Sequence, residues 1–204
     1  MLEQRTVTPA RRVGNQTVAR TGGALARKLT GVSGMLVHVL GPLRVAVDGH
    51  DLPLGGRRTK TVLAVLALEA NWVVPVDDLV DAVWGGAPPA SARTQIRICI
   101  SAMRRSFAAA GLADLIETHP QGYRLRLEES QLDASVFDAR VRRARTLTEA
   151  GLLEEAVHCL RRALALWSGP ALAGLSGGPV ESGARRLQEA RLRATEERIR
   201  LDLE

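Results

Sequence analysis

Along the chain, no sustained hydrophobic period appears before Met35. Residues 1–34 are polar and rich in Gly, Thr and Arg, a composition that predicts a disordered tail. At Met35, a candidate functional start, the texture changes. LVHVL (36–40) and RVAVDG (44–49) are β-branched runs separated by Gly41-Pro42, and LPLGG (52–56) follows. These predict a small antiparallel sheet with a hairpin turn at Asp48-Gly49.

Helical spacing then takes over. RRTKTVLAVLALEAN (57–71) places apolar residues at 62, 63, 65, 66 and 68. PVDDLVDAVWGG (75–86) predicts a short helix opening at Val76 or Asp77, with Leu79, Val80, Val83 and Trp84 inward and Gly85-Gly86 as the stop. ASARTQIRICISAMRRSFAAAG (90–111) predicts a longer one, with Ser91 as N-cap, Pro88-Pro89 barring upstream extension and Gly111 ending it. LIETHPQGYRLRL (115–127) predicts two strands about the turn His119-Pro120-Gln121-Gly122. Tyr123, Leu125 and Leu127 face inward there and alternate with Arg124 and Arg126. After Glu128 the pattern is helical alone, near 133–150, 153–168 and 180–203, with glycines and prolines between. The expected organisation is a tail over 1–34, a mixed α+β domain over 35–128 and an all-α domain over 129–204. Strand cluster, three helices and hairpin is the order of a winged helix-turn-helix with an extra N-terminal sheet.

The helix over 90–111 carries the functional question. At about 100° per residue, with Arg93 set at 0°, Arg104 falls near ~20° and Arg97 near ~40°. Ser101 and Thr94 follow near ~80° and ~100°, then Arg105 near ~120° and Ile98 near ~140°. Ile96, Cys99, Ile100, Met103 and Phe107 take the opposite side. No carboxylate occurs between Arg93 and Ala113. A solvated face in a charge-balanced protein tends to pair Arg with Glu at i,i+4. Here the acid-free stripe invites an external polyanion, since guanidinium suits phosphate and the guanine O6/N7 edge. Ile98 could meet a thymine methyl. The alternative reading, open at this point, is a surface face with partners from the neighbouring domain. Arg57, Arg58 and Lys60, at the start of the first helix, and Arg124 and Arg126, on the hairpin, suit phosphate contacts.

Charge refines this picture. The net charge is +6, yet residues 1–34 carry six Lys/Arg against one acid, residues 35–128 ten against nine, and residues 129–204 twelve against twelve. Total charge is therefore a poor argument for a nucleic-acid partner; local placement is the argument. All the basic residues except Lys28 and Lys60 are Arg, which with abundant Ala, Gly and Val suggests a GC-rich bacterial genome. No apolar run approaches the roughly 20 residues of a membrane helix. The N-terminus lacks a secretory h-region, so a cytoplasmic protein without a membrane partner is expected. Cys99 and Cys159 read as buried free thiols.

Catalytic and metal chemistry find no support in the sequence. His38, His50, His119 and His158 fit no ligand spacing, and no GxSxG, P-loop or GxGxxG stands in a strand–helix setting. Asp77, Asp78 and Asp81 are accounted for as negative charge complementing a helix dipole. Trp84 and Trp167 read as core. No enzyme activity, cofactor, metal or small-molecule substrate is expected.

MLVHVLGPLRV, RRTKTVLAVLAL, VPVDDLVDAVWGGAPPASARTQIRICISAMRRSF and IETHPQGYRLRL together resemble the OmpR-type winged helix of the actinomycete antibiotic regulatory proteins, the SARP family. DASVFDARVRRARTLTEAGLLEEAVHCLRRALALWSGPALAGL and RRLQEARLRATEERIRLDLE resemble that family's TPR-like transcriptional activation domain. The resemblance covers about residues 35–204 and rests on several motifs in order. It implies an α+β winged helix-turn-helix domain followed by an all-α TPR-like helical domain. It further implies a transcriptional activator of a secondary-metabolite (antibiotic) gene cluster. Such a protein binds direct repeats of double-stranded promoter DNA near the −35 region, with a homodimer on DNA as a further expectation, and recruits RNA polymerase holoenzyme. Carried over by position, the recognition helix is about 90–110, entering the major groove, and Arg93, Arg97, Ser101, Arg104 and Arg105 face DNA, with the wing near the minor groove. Thr94 and Ile98 on the same helix, His119, Gln121, Gly122, Tyr123 and Arg124 on the wing, and Arg57, Arg58 and Lys60 at the start of the first helix complete the expected DNA-binding set. Two departures stand out. Ala102 occupies a position where the family often has a polar residue, and the family's activation domain continues through several more helices. An uncovered last helix should then expose Leu187, Leu192, Ile199 and Leu201. The rival reading is a TPR-like interaction adaptor whose winged helix no longer reads DNA.

Overall fold

The computed structural model describes residues 34–203. The tail expected to be disordered lies, apart from Gly34, outside the described residues. Strands β1 (Met35–His38), β2 (Arg44–Val47) and β3 (His50–Asp51) form an antiparallel sheet in that order. Val47 pairs with His50, so the β2–β3 loop is the two residues Asp48 and Gly49, both left-handed (φ 51° and 82°). This is the backbone that a type I′ hairpin requires and that Asp-Gly adopts at little cost.

Helix α1 (Arg57–Leu68) lies at the centre, with every residue from Thr61 to Ala67 buried. Strand β4 (Val74–Pro75) leads directly into α2 (Val76–Trp84), and α3 (Ala92–Ala109) follows. Gly85 (φ 63°) and Gly111 (φ 77°) stop α2 and α3, as their positions predicted. Ser91 stands at the head of α3 without capping a backbone amide, because its hydroxyl accepts from Gln95 Nε2 at 2.9 Å. On α2, Leu79 and Val80 are buried as expected, joined by Ala82, while Val83 and Trp84 are half-buried.

Strands β5 (Ile116–His119) and β6 (Gly122–Leu125) form the hairpin, and β4 pairs with β6. A Cβ on Gly122 would lie 1.9 Å from the Val74 carbonyl oxygen, so only glycine lets β4 pass this close. Asn71 (φ 69°) closes the turn after α1 onto the end of this sheet. Its amide donates to Leu127 O at 2.8 Å, and its carbonyl accepts from Leu127 N at 3.0 Å.

The helical part comprises α4 (Asp133–Glu149), α5 (Leu153–Leu164) and α6 (Gly178–Asp202), with α5 packed against both others. It shares one core with the winged helix, because α6 packs on α1 and α2. Helix α5 stops at Leu164, earlier than its apolar pattern suggested. The chain leaves the helix there to bond the segment after β1: Ser168 N donates to Leu40 O at 3.0 Å and Leu172 N to Val39 O at 3.1 Å. Trp167 turns inward and meets Phe137 edge-on, ring centroids 5.7 Å apart. Asp133, at the head of α4, is buried and accepts from the amides of Val39 (2.9 Å) and Leu40 (3.2 Å). Burial raises its pKa, and the two amides and nearby His38 oppose that rise.

Leu192 and Ile199 of α6 are exposed as expected, whereas Leu201 is buried and Leu187 half-buried against the core. Trp72 is exposed in the turn after α1. Cys99 is buried and Cys159 half-buried, both free, with the Cys159 thiol donating to Arg140 O.

Candidate nucleic-acid interface

Helix α3 is amphipathic as its sequence requires. Ala92, Ile96, Cys99, Ile100, Met103 and Phe107 are buried, and its main packing partners are α1 and α2. The opposite face is open: Arg93, Thr94, Arg97, Ile98, Ser101, Arg104 and Arg105 are all exposed, Ile98 to 60%. The surface ridge is therefore present. Its four arginines are not equivalent, because tertiary neighbours engage two of them.

Arg93 bonds Asp77 of α2, Nη2 to Oδ1 at 2.6 Å. This corrects the expectation that nothing internal neutralises the stripe: the compensating acid comes from another helix. Arg104, exposed on the same face, is engaged as well. Its Nε and Nη2 donate to the Ile116 carbonyl (3.1 and 2.8 Å) and Nη2 also donates to Thr118 Oγ1 (2.8 Å). It clamps β5 to α3 and sets the spacing of hairpin and helix. Arg97 and Arg105 have no hydrogen bond or ion pair among the described residues and are the free cations of the ridge.

The basic residues of α1 divide similarly. Arg58 remains exposed yet oriented: its Nη1 donates to Gln95 Oε1 at 2.6 Å, and its guanidinium lies 5.6 Å from the centre of the Trp84 ring. Arg57 donates to Ser176 Oγ, ahead of α6. Lys60 is half-buried and has no polar partner among the described residues.

On the hairpin, the basic outer face contains a carboxylate. Glu117 lies opposite Arg124 in the β5–β6 register and accepts from Arg124 Nε at 2.8 Å, Arg126 Nη1 at 3.1 Å and, at 3.4 Å, His119 Nε2. The Arg124 hydrogen bond, helped by His119 and Arg126, holds the Glu117 pKa below its ordinary value. Gln121 is exposed at the turn, while its carbonyl accepts from Val76 N. Gly122 and Tyr123, both expected at the duplex, are buried, Tyr123 to 8% exposure. Inward alternation assigned Tyr123 to the core, and the packing of β4 requires Gly122.

Because the Glu117 pKa is depressed, its stabilising contribution is present above the unfolded-state value and is lost as pH falls through the folded-state value. Urea midpoints of wild type and Glu117→Gln should therefore differ near neutrality and draw together as pH falls below the ordinary carboxylate range. A difference that stays constant on acidification would count against the role of the Glu117 carboxylate.

Sequence reasoning missed Asp77 as a partner of Arg93, Gln95 as the tether of Arg58, and Glu117. Only Glu117 left a readable signal, since a loop of Pro120-Gln121 sets residue 117 opposite 124. Among the described residues, no cluster of His, Cys, Asp or Glu is placed to hold a metal ion, and no helix is long and apolar enough to cross a membrane.

Comparison with known proteins agrees with this architecture. Residues 51–125 match the family described as "Transcriptional regulatory protein, C terminal", and residues 132–204 match "Bacterial transcriptional activator domain". The chain is similar to the transcriptional regulatory protein MoaR1 of Mycobacterium tuberculosis, with 38% identity over 68% of this chain and 45% of that protein. It is 34% identical to the regulatory protein DnrI of Streptomyces peucetius, over 83% of this chain and 65% of that one. Among solved structures, Mycobacterium tuberculosis EmbR in complex with a low-affinity phosphopeptide superposes with a TM-score of 0.81 at 31% identity. That match covers 84% of this chain and 46% of EmbR. The chain thus spans about half the length of MoaR1 and of EmbR.

Proposed function

Because the chain belongs to the SARP-type family of bacterial transcriptional regulators, we propose that it is a sequence-specific DNA-binding activator. In this reading it places α3 in the major groove of promoter DNA and the β5–β6 hairpin against the adjacent backbone. It occupies direct repeats near the −35 region, as a homodimer or as adjacent copies, and recruits RNA polymerase holoenzyme in the cytoplasm. Its target, in keeping with the SARP resemblance of residues 35–204, is a secondary-metabolite gene cluster.

The observation that carries the reading is the outer face of α3. A helix buried on α1 and α2 presents Thr94, Arg97, Ile98, Ser101 and Arg105 together, with two cations that no described residue neutralises. Arginine supplies paired donors for a guanine edge, and Ile98 an apolar surface for a thymine methyl. Arg58, held by Gln95 and Trp84 close to the start of α3, meets a phosphate and fixes the register in this reading.

Footprinting on promoter DNA from the gene's own neighbourhood, with and without polymerase, tests the reading. A protected repeat that strengthens with polymerase is the expected result. An adaptor that does not read DNA would leave no footprint. That second reading draws on an open groove of about 1140 Å³ between α4, α5 and the end of α6, lined by Leu147, Leu153, Leu201 and several arginines. Proteins of TPR type use such surfaces to bind other proteins.

Arg58→Ala should weaken binding to all duplexes alike and reduce the slope of log K against log salt by about 1, the signature of one lost phosphate contact. Titration over a salt series checks this. A loss confined to one sequence would contradict the phosphate role.

A further inference from the structure

Arg93 and Asp77 stand on different helices, α3 and α2, and their side chains meet at 2.6 Å although 63% and 74% exposed. A pair this wet adds little to stability, since water screens the attraction and ordering two side chains offsets it. Asp78, also in the first turn of α2, is available to complement that helix's dipole without Asp77. The pair does impose an orientation. One terminal nitrogen of Arg93 is engaged by Asp77, leaving the remaining edge of the guanidinium fork for another acceptor. Arg97 and Arg105, on the same helix, have no such tether among the described residues.

We propose that Asp77 is a specificity-determining positioning residue, which holds Arg93 so that its free edge addresses a base instead of ranging over phosphates. This rests on α3 being the DNA-reading helix. Two physical effects combine. A carboxylate beside the ridge repels the phosphate backbone and so weakens binding to any duplex, whatever its sequence. An arginine already oriented loses less rotamer freedom on forming a bidentate contact, which recovers affinity only where the matching base is present. The second effect widens the gap between cognate and non-cognate DNA, and the first lowers the background binding of both.

The test uses the full chain. A site is selected from randomised duplexes with wild-type protein. Wild type, Asp77→Asn, Arg93→Ala and the double variant are then titrated against the selected duplex and a shuffled one across a salt series. Asp77→Asn should bind the shuffled duplex more tightly, with a steeper salt dependence, and lower the specificity ratio about threefold to tenfold. The double variant should show the same ratio as Arg93→Ala, and Asp77→Glu should keep the wild-type ratio. An unchanged ratio for Asp77→Asn overturns the inference while leaving the role of α3 intact. So does equal weakening on both duplexes with a lowered thermal midpoint, which marks a helix-dipole role, and so does a ratio that falls equally in the Arg93→Ala background. A wild-type chain that enriches no site overturns the role of α3 and this inference together.

Discussion

Replacing Arg97 with alanine is expected to lower affinity for the protein's own site by about 1–3 kcal/mol, roughly fivefold to 150-fold, if its contact is bidentate to a base. Arg97 is suited to such an experiment because it has no internal partner among the described residues and lies on the open face of α3. Its removal should therefore leave folding stability within about 0.5 kcal/mol of wild type. Any loss of binding can then be assigned to the contact. Fluorescence anisotropy on the cognate and a scrambled duplex at fixed salt distinguishes the outcomes. Loss on the cognate duplex alone marks base readout, and equal loss on both marks a phosphate contact. Undiminished binding would remove Arg97 from the interface. Lysine should not rescue a bidentate contact, because an ammonium cannot reproduce the planar fork. Arg104 would be a misleading choice for the same question. Its guanidinium is engaged by Ile116 O and Thr118, so its loss would act through the position of the hairpin.

The largest effect on folding is expected at Asp133. Its carboxylate lies where the segment after β1 meets the head of α4, and the Val39 and Leu40 amides it satisfies are far from it in the chain. Asp133→Ala leaves two buried N–H groups without acceptors and should destabilise the unit by about 2–4 kcal/mol. Asp133→Asn retains a carbonyl acceptor and should lose less. Urea denaturation followed by circular dichroism measures both. An alanine variant within about 0.5 kcal/mol of wild type would show that water or a shifted backbone replaces the carboxylate. A single cooperative transition in the wild type would agree with the core that the winged helix and the helical part share.

Much of the architecture follows from local rules that act within a few residues. Asp48-Gly49 specifies a two-residue turn because both positions must be left-handed. Gly85 and Gly111 end their helices for a related reason. The apolar side of α3, and hence the direction its arginines face, follows from the helical repeat alone. The end of α5 shows where such rules stop: its pattern continues past Leu164, but the backbone leaves the helix to bond Val39 and Leu40.

The interface divides in the same way. Spacing along one helix placed Arg93, Arg97, Arg104 and Arg105 on one side, and the absence of acids in that stretch was correct as a statement about α3. Which of the four are free was decided by groups that other elements bring alongside: Asp77 from α2, and the Ile116 carbonyl and Thr118 from β5. The Ile116 carbonyl belongs to the backbone and has no residue type to betray it. Asp77 already had a sufficient local explanation in the dipole of its own helix. Periodicity thus determined by itself that a basic ridge exists and where it faces. Only tertiary packing decided which of its charges remain available, because hydrogen bonds between elements depend on distances that no local repeat encodes.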